Sequence, residues 1–170
     1  MLTSALFALA CAGAVAAVVY GRVRRVPVHR VAPWATWRRQ LVWQGPGVDE
    51  VELSQALGHW RSLGHLIGWA GSEATATILV VEDLTLDTRA SYDEALTLTH
   101  GRTGLVFTQS GPRLIVSARV RVLPGATALV LAHELGHALG YEHAQAAPTG
   151  HLMNPSMDRV GWDSRGLEVQ

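Results

Sequence analysis

The chain has 170 residues, a length that supports one domain plus an appendage. Its charge is carried by 14 arginines, with no lysine, against 14 acidic residues, so net charge singles out no class of partner. A lone cysteine, Cys11, excludes an intramolecular disulfide and a four-cysteine metal site, and leaves the redox compartment open.

Leu2 to Tyr20 is a run without charge, alanine-rich and just long enough to cross a bilayer as a helix. The expectation is a single-pass membrane anchor. Signal-peptide cleavage near Ala14–Ala16, with secretion, is the alternative; a lipoprotein signal ending at Cys11 fits less well, because the apolar run continues past it. Arg22, Arg24, Arg25, Arg30, Arg38 and Arg39 follow with no acid among them, a local +6 beside a −6 remainder. By the positive-inside rule they would keep an anchored domain cytoplasmic, whereas a signal peptide would export it. Residues 22–47 read as a juxtamembrane linker, interrupted by Pro27, Pro33 and Pro46. Trp34, Trp37 and Trp43 are interleaved with the arginines, a mixture that suits anionic lipid headgroups through Arg22–Arg39 and equally suits packing against the domain. No further element of a nucleic-acid-binding module accompanies the basic stretch, and no nucleic-acid partner is expected.

The domain is expected over 48–170. Asp49 and Glu52 form a capping-box pattern, and Leu53, Leu57, Trp60, Leu63 and Ile67 follow at helical spacing. His59 and His65, six apart on that helix, are expected to serve packing rather than a metal. Thr75 to Glu82 is β-branched and predicts an inner strand. Residues 83–102 have no clear period. Two extended runs, 104–109 and 113–123, are joined by Ser110-Gly111-Pro112, and the second alternates arginine with valine as a strand with one wet face does. After Pro124-Gly125 a helix apolar nearly all round starts near Ala126 and is expected to be buried.

That helix runs into His133-Glu134-Leu135-Gly136-His137-Ala138-Leu139-Gly140-Tyr141-Glu142-His143. Histidines four apart lie one above the other on a helix face, so both imidazoles reach one metal ion. Glu134, beside the first, is placed to take a proton from a zinc-bound water. Gly140 allows a left-handed turn that swings His143 back as third ligand, leaving a fourth tetrahedral position for water. One zinc ion is therefore the expected cofactor. His151 is a rival ligand left outside the set, since three histidines already complete it.

The signature is that of the metzincin proteases, and the wording of the helix resembles their matrixin branch. The resemblance covers these 11 residues and the turn His151-Leu152-Met153-Asn154-Pro155; over 48–163 it rests on element order alone. It implies an α+β catalytic domain with a twisted mixed sheet, a packing helix and a buried zinc-binding helix, preceded here by the transmembrane or signal helix. It implies that Met153 forms an apolar floor under the zinc, and that Leu152, Asn154, Pro155, Ser156 and Met157 line the pocket for the residue after the cut. Substrate would lie extended along an edge strand, for which 104–109 is the candidate. The family's structural zinc and calcium sites have no match in Asp83, Asp87, Asp93 and His100. Ala144 stands where matrixins carry serine, no tyrosine ligand follows Met153, and no cysteine-switch propeptide is present. Trp162 and Asp163 would close the pocket or cap the fold. The expected activity is hydrolysis of a peptide or protein substrate by zinc-activated water with Glu134 as base. A non-catalytic membrane-attached zinc- and peptide-binding module, or a hydrolase of peptidoglycan cross-links, are the alternatives.

Overall fold

The computed structural model describes residues 26–35, 39–86 and 101–169. Residues 2–20, most of the arginine cluster, and Asp87, Asp93 and His100 lie outside them. Among the described residues no helix is long and apolar enough to cross a membrane.

The elements in chain order are β1 (Gln40–Gln44), α1 (Glu50–Ser62), β2 (Ile67–Trp69), β3 (Ile78–Glu82), β4 (Gly101–Phe107), β5 (Ile115–Val122) and α2 (Ala128–Ala138), with short 3₁₀ turns at Glu73–Thr75 and Met157–Arg159. They form a mixed α/β fold around one five-stranded sheet, ordered β2-β1-β3-β5-β4. All pairings are parallel except β4 with β5, so β4 is an antiparallel edge. Alternate strand residues face one side: Val42, Ile67, Ile78, Val80, Ala118, Val120 and Val122 are buried there. Leu53, Ala56, Leu57 and Trp60 of α1, and Leu131, Ala132, Leu135 and Ala138 of α2, complete the same core. The arginine–valine alternation of β5 is realised, with Val120 and Val122 buried and Arg119 exposed.

Several boundaries differ from the sequence expectation. The stretch read as linker contains β1, an interior strand whose Val42 is fully buried, and Val26 and Ala32 are buried as well. The domain thus starts well before residue 48, and the described part of 22–47 packs on the domain. The helix α1 stops at Ser62, five residues before Ile67, because Gly64 takes φ +90° and turns the chain into β2. The inner strand expected from Thr75 is β3 and begins at Ile78, since Ser72–Thr75 close a 3₁₀ turn.

The capping expectation holds by half. The Asp49 carboxylate accepts from the N–H groups of Val51 (2.8 Å) and Glu52 (3.0 Å), capping α1. Glu52 does not reach back to complete the box. Its carboxylate instead accepts from the N–H of Ala128, the first residue of α2. Thr127, at the N-cap of α2, makes no side-chain capping bond, so Glu52 supplies the anion that the helix N-terminus favours. Trp60 Nε1 donates to the Ala132 carbonyl at 2.9 Å and ties the helices together one turn on. Glu52→Ala is accordingly expected to cost about 1–2 kcal/mol, read from the urea-unfolding midpoint.

Candidate metal centre

Helix α2 carries His133 and His137 on one face, and its end brings in the third histidine. Gly140 adopts φ +94°. The N–H of Gly140 bonds to His137 O (2.9 Å) and that of Tyr141 to Gly136 O (3.0 Å), the paired bonds of a Schellman stop. The chain then reverses, and His143 Nε2 lies 3.1 Å from His137 Nε2 and 3.3 Å from His133 Nε2. One ligand nitrogen from each ring falls within 4.8 Å of the others, close enough to hold a metal ion.

The tautomers are set from outside. A carbonyl can only accept, so His133 Nδ1–H donates to Leu152 O (2.6 Å) and His137 Nδ1–H to Tyr141 O (2.8 Å). Both rings therefore present an unprotonated Nε2 to the common point. Burial pushes His133 down to about 3 and His137 to about 4, with the neighbouring imidazoles lowering both further and the carbonyl bonds opposing. Both rings are neutral at neutral pH. Linkage gives the sign: the unfolded chain takes up protons near pH 6.5 that the folded rings refuse. The metal-free protein is expected to lose stability as pH falls from about 6.5 toward 4, measured as melting temperature against pH.

Glu134 is nearly buried, and desolvation raises its carboxyl to about 7, partly offset by a hydrogen bond from Thr103. Thr103 Oγ1 donates to Glu134 Oε2 at 2.7 Å and lies 3.0 Å from the Glu134 carbonyl. Met153 is fully buried, and its sulfur would lie 2.5 Å from a Cβ added at Gly136, beside Trp60 Cζ2 at 2.9 Å. The glycine between the helical histidines thus lets the methionine seat directly against the turn that carries them.

The remaining expected residues divide. His151 is wholly buried with both nitrogens engaged: Nδ1 accepts from Met153 N–H (3.1 Å), so Nε2–H donates to Arg165 O (3.2 Å). It braces the methionine turn and stands apart from the three-histidine group. Leu152 is fully buried, and the Asn154 amide is committed to Ala147 O, Pro148 O and Ser156 N–H. Pro155, Ser156 and Met157 remain partly exposed. Asp163 pairs with Arg165 while its carbonyl accepts from Leu152 N–H, and Trp162 rests on His59 with ring centroids 4.8 Å apart, so this pair caps the fold. His59 and His65 serve packing, bonded to Ser164 Oγ (2.7 Å) and Leu167 O (3.0 Å). Asp83 is used by Thr85 and Arg121. Among the described residues, the group of three histidines is the one cluster with metal-ligand spacing.

Several contributors carry no mark in the sequence. Thr103 and Gly101 are ordinary strand residues until β4 is laid on α2. Arg30 hydrogen-bonds the Tyr141 hydroxyl and stacks its guanidinium 4.5 Å from the ring centre. Val31 N–H bonds to Gly140 O (2.8 Å) and Glu142 N–H to His29 O (2.9 Å), so residues 29–32 clamp the turn leading to His143. A β-bridge sign at Arg30 could not be read from its neighbours.

No protein-family model matches the chain, and no curated protein does. Among solved structures, the chain is similar to one described as "GM1 bound form of the ECX AB5 holotoxin", at 12% identity and a TM-score of 0.44, over 78% of this chain and 69% of that one. A likeness that slight bears on neither fold family nor function.

Proposed function

We propose that the protein is a zinc-dependent endopeptidase of the metzincin type. One observation carries the proposal: three imidazole nitrogens converge at the end of a helix whose buried Glu134 packs against the edge strand of a sheet. The donor set fits zinc. Zinc–nitrogen bonds of about 2.0–2.1 Å in tetrahedral array put donors about 3.3–3.4 Å apart. The distances from His143 Nε2 to the other two nitrogens are 3.1 and 3.3 Å. Three neutral imidazoles, without a carboxylate or thiolate, leave a fourth position open, as catalytic sites do. Bound zinc supplies a Lewis acid that acidifies water and polarises a substrate carbonyl.

The protein's own groups do the rest. Glu134 receives the proton of the attacking water and hands it to the leaving amine. The carbonyls of Leu152 and Tyr141 hold two ligand rings in one tautomer, and Met153 backs the helix turn between them. Strand β4 accepts the substrate as an added strand on its outer edge; that edge is Gly101–Phe107, three residues earlier at its start than the sequence suggests. In this reading residues 2–20 tether the domain to a membrane and the arginines of 22–39 other than Arg30, which is engaged by Tyr141, meet its anionic headgroups.

The test uses the whole 170-residue chain, since a domain cut at residue 45 would lose β1. Expected are about one zinc per chain by elemental analysis, cleavage of a mixed peptide library, and loss of cleavage on chelation with recovery on adding zinc. A folded protein without affinity for zinc would sink the proposal. Zinc binding with no peptide cut would favour the binding module or the peptidoglycan cross-link as substrate.

A further inference from the structure

We propose that Thr103 is a positioning residue for Glu134, acting from the same strand that receives the substrate; the inference rests on Glu134 being the base in the reaction above. A glutamate side chain has several freely rotating bonds, and burial alone does not choose among its rotamers. Two contacts from β4 make the choice. The single hydroxyl proton of Thr103 has two acceptors on the same residue, the carboxylate oxygen Oε2 at 2.7 Å and the main-chain carbonyl at 3.0 Å. Because the second acceptor belongs to the α2 backbone, Thr103 is registered to the helix as well as to the carboxylate.

Gly101 lies two residues earlier on the same face of β4. A Cβ there would fall 2.6 Å from Glu134 Cγ, 2.9 Å from Cδ and 2.8 Å from Oε1. The carboxylate therefore occupies the volume that a side chain at 101 would fill. One oxygen is tied to Thr103 and the other lies under the Gly101 backbone. Among the described residues β4 pairs only with β5, so the strand offering its outer edge also grips the base with its inner face. Substrate backbone and proton acceptor are then spaced by one rigid element, which is what a near-attack geometry requires.

The experiment separates hydroxyl from shape. Thr103→Val keeps the shape and loses the hydroxyl; Thr103→Ser keeps the hydroxyl and loses the methyl. For Thr103→Val, kcat is expected to fall roughly 10- to 100-fold with KM within about 3-fold of wild type, the scale of one hydrogen bond to a charged group. Zinc content should not change, and the variant should remain folded at the assay temperature, its melting temperature lowered only by the loss of one buried hydrogen bond. Thr103→Ser should stay within about 3-fold of wild type in kcat, and Gly101→Ala should fall in the same direction as Thr103→Val. Crystal structures of the metal-free variants supply a readout independent of turnover: the Glu134 carboxylate should leave its wild-type position in Thr103→Val and keep it in Thr103→Ser. Wild-type kcat in Thr103→Val, equal loss in Val and Ser, or an unmoved carboxylate in Thr103→Val would overturn the proposal. So would a kcat loss that follows lost zinc or unfolding at the assay temperature. If Thr103→Val does not fold, Thr103→Ala carries the same comparison. Inactivity of the wild type would instead defeat the peptidase reading, and the crystallographic shift would still decide whether Thr103 directs the carboxylate.

Discussion

Glu134→Gln is expected to keep its zinc and lose cleavage by about 10²–10⁴-fold in kcat, the range that a positioned general base supplies. The substitution is nearly isosteric. Glutamine can still accept a hydrogen bond from Thr103, so the side chain keeps its place between β4 and α2. An amide, however, cannot take a proton from water at neutral pH. Zinc stoichiometry should hold, because the metal group comprises His133, His137 and His143 and not Glu134. Stability gives a second sign. A nearly buried carboxylate with one hydrogen-bond donor is costly to keep charged, so the variant should melt at the same temperature as wild type or higher. Activity lost while stability holds is the signature of a functional group; activity and stability falling together would mark Glu134 as a packing residue. Retained cleavage would remove it from the mechanism altogether. The assay is peptide-library turnover at saturating zinc, with the melting curve of the metal-free form alongside.

How much of this was legible in the sequence follows from how local each feature is. The convergence of three histidines is legible because 11 residues carry the whole device: helical spacing for two rings and a left-handed glycine for the third. The position of β5 was legible from its period of two, and α1 from its apolar stripe. Family resemblance implies Met153 as an apolar floor under a zinc ion; the structure shows it buried against Gly136. What failed depends on contacts distant in the chain. Strand β1 is five residues inside a stretch dominated by proline, tryptophan and arginine, and only its neighbours β2 and β3 make it a strand. Glu52 looks like half of a local box, yet its carboxylate serves a helix 76 positions away. Thr103 reaches Glu134 across 31 positions, which no motif encodes. The same holds for residues 29–32, read as linker and found clamping the ligand turn.

That clamp makes Gly140→Ala the second large effect expected. Two independent costs fall on one methyl group. An alanine at φ +94° occupies the left-handed region, at about 1–2 kcal/mol. Its Cβ would also lie 2.7 Å from the carbonyl oxygen of Ala32 and 3.0 Å from Ile115 Cδ1. The first of these is main chain, held in place by the bond from Val31 N–H to Gly140 O, so relief requires the clamp or the turn to move. Movement of the turn displaces His143, because the Schellman stop and the ligand are three residues apart. The variant is expected to lose about 2–4 kcal/mol of stability and roughly 10- to 100-fold in zinc affinity, comparable to losing a group that supports a metal ligand. Gly111→Ala separates the two costs. Gly111 has φ +78° in the β4–β5 turn with nothing within 4 Å of the added Cβ, so it should show the conformational cost alone and leave zinc affinity unchanged. Chemical denaturation of the metal-free proteins and competitive zinc titration measure both quantities. If Gly140→Ala matched Gly111→Ala in both, the contact with Ala32 would not be holding the turn, and the N-terminal segment would have no part in placing the third ligand. If it exceeds the control in both, residues 29–32 belong to the metal site as much as the helix does.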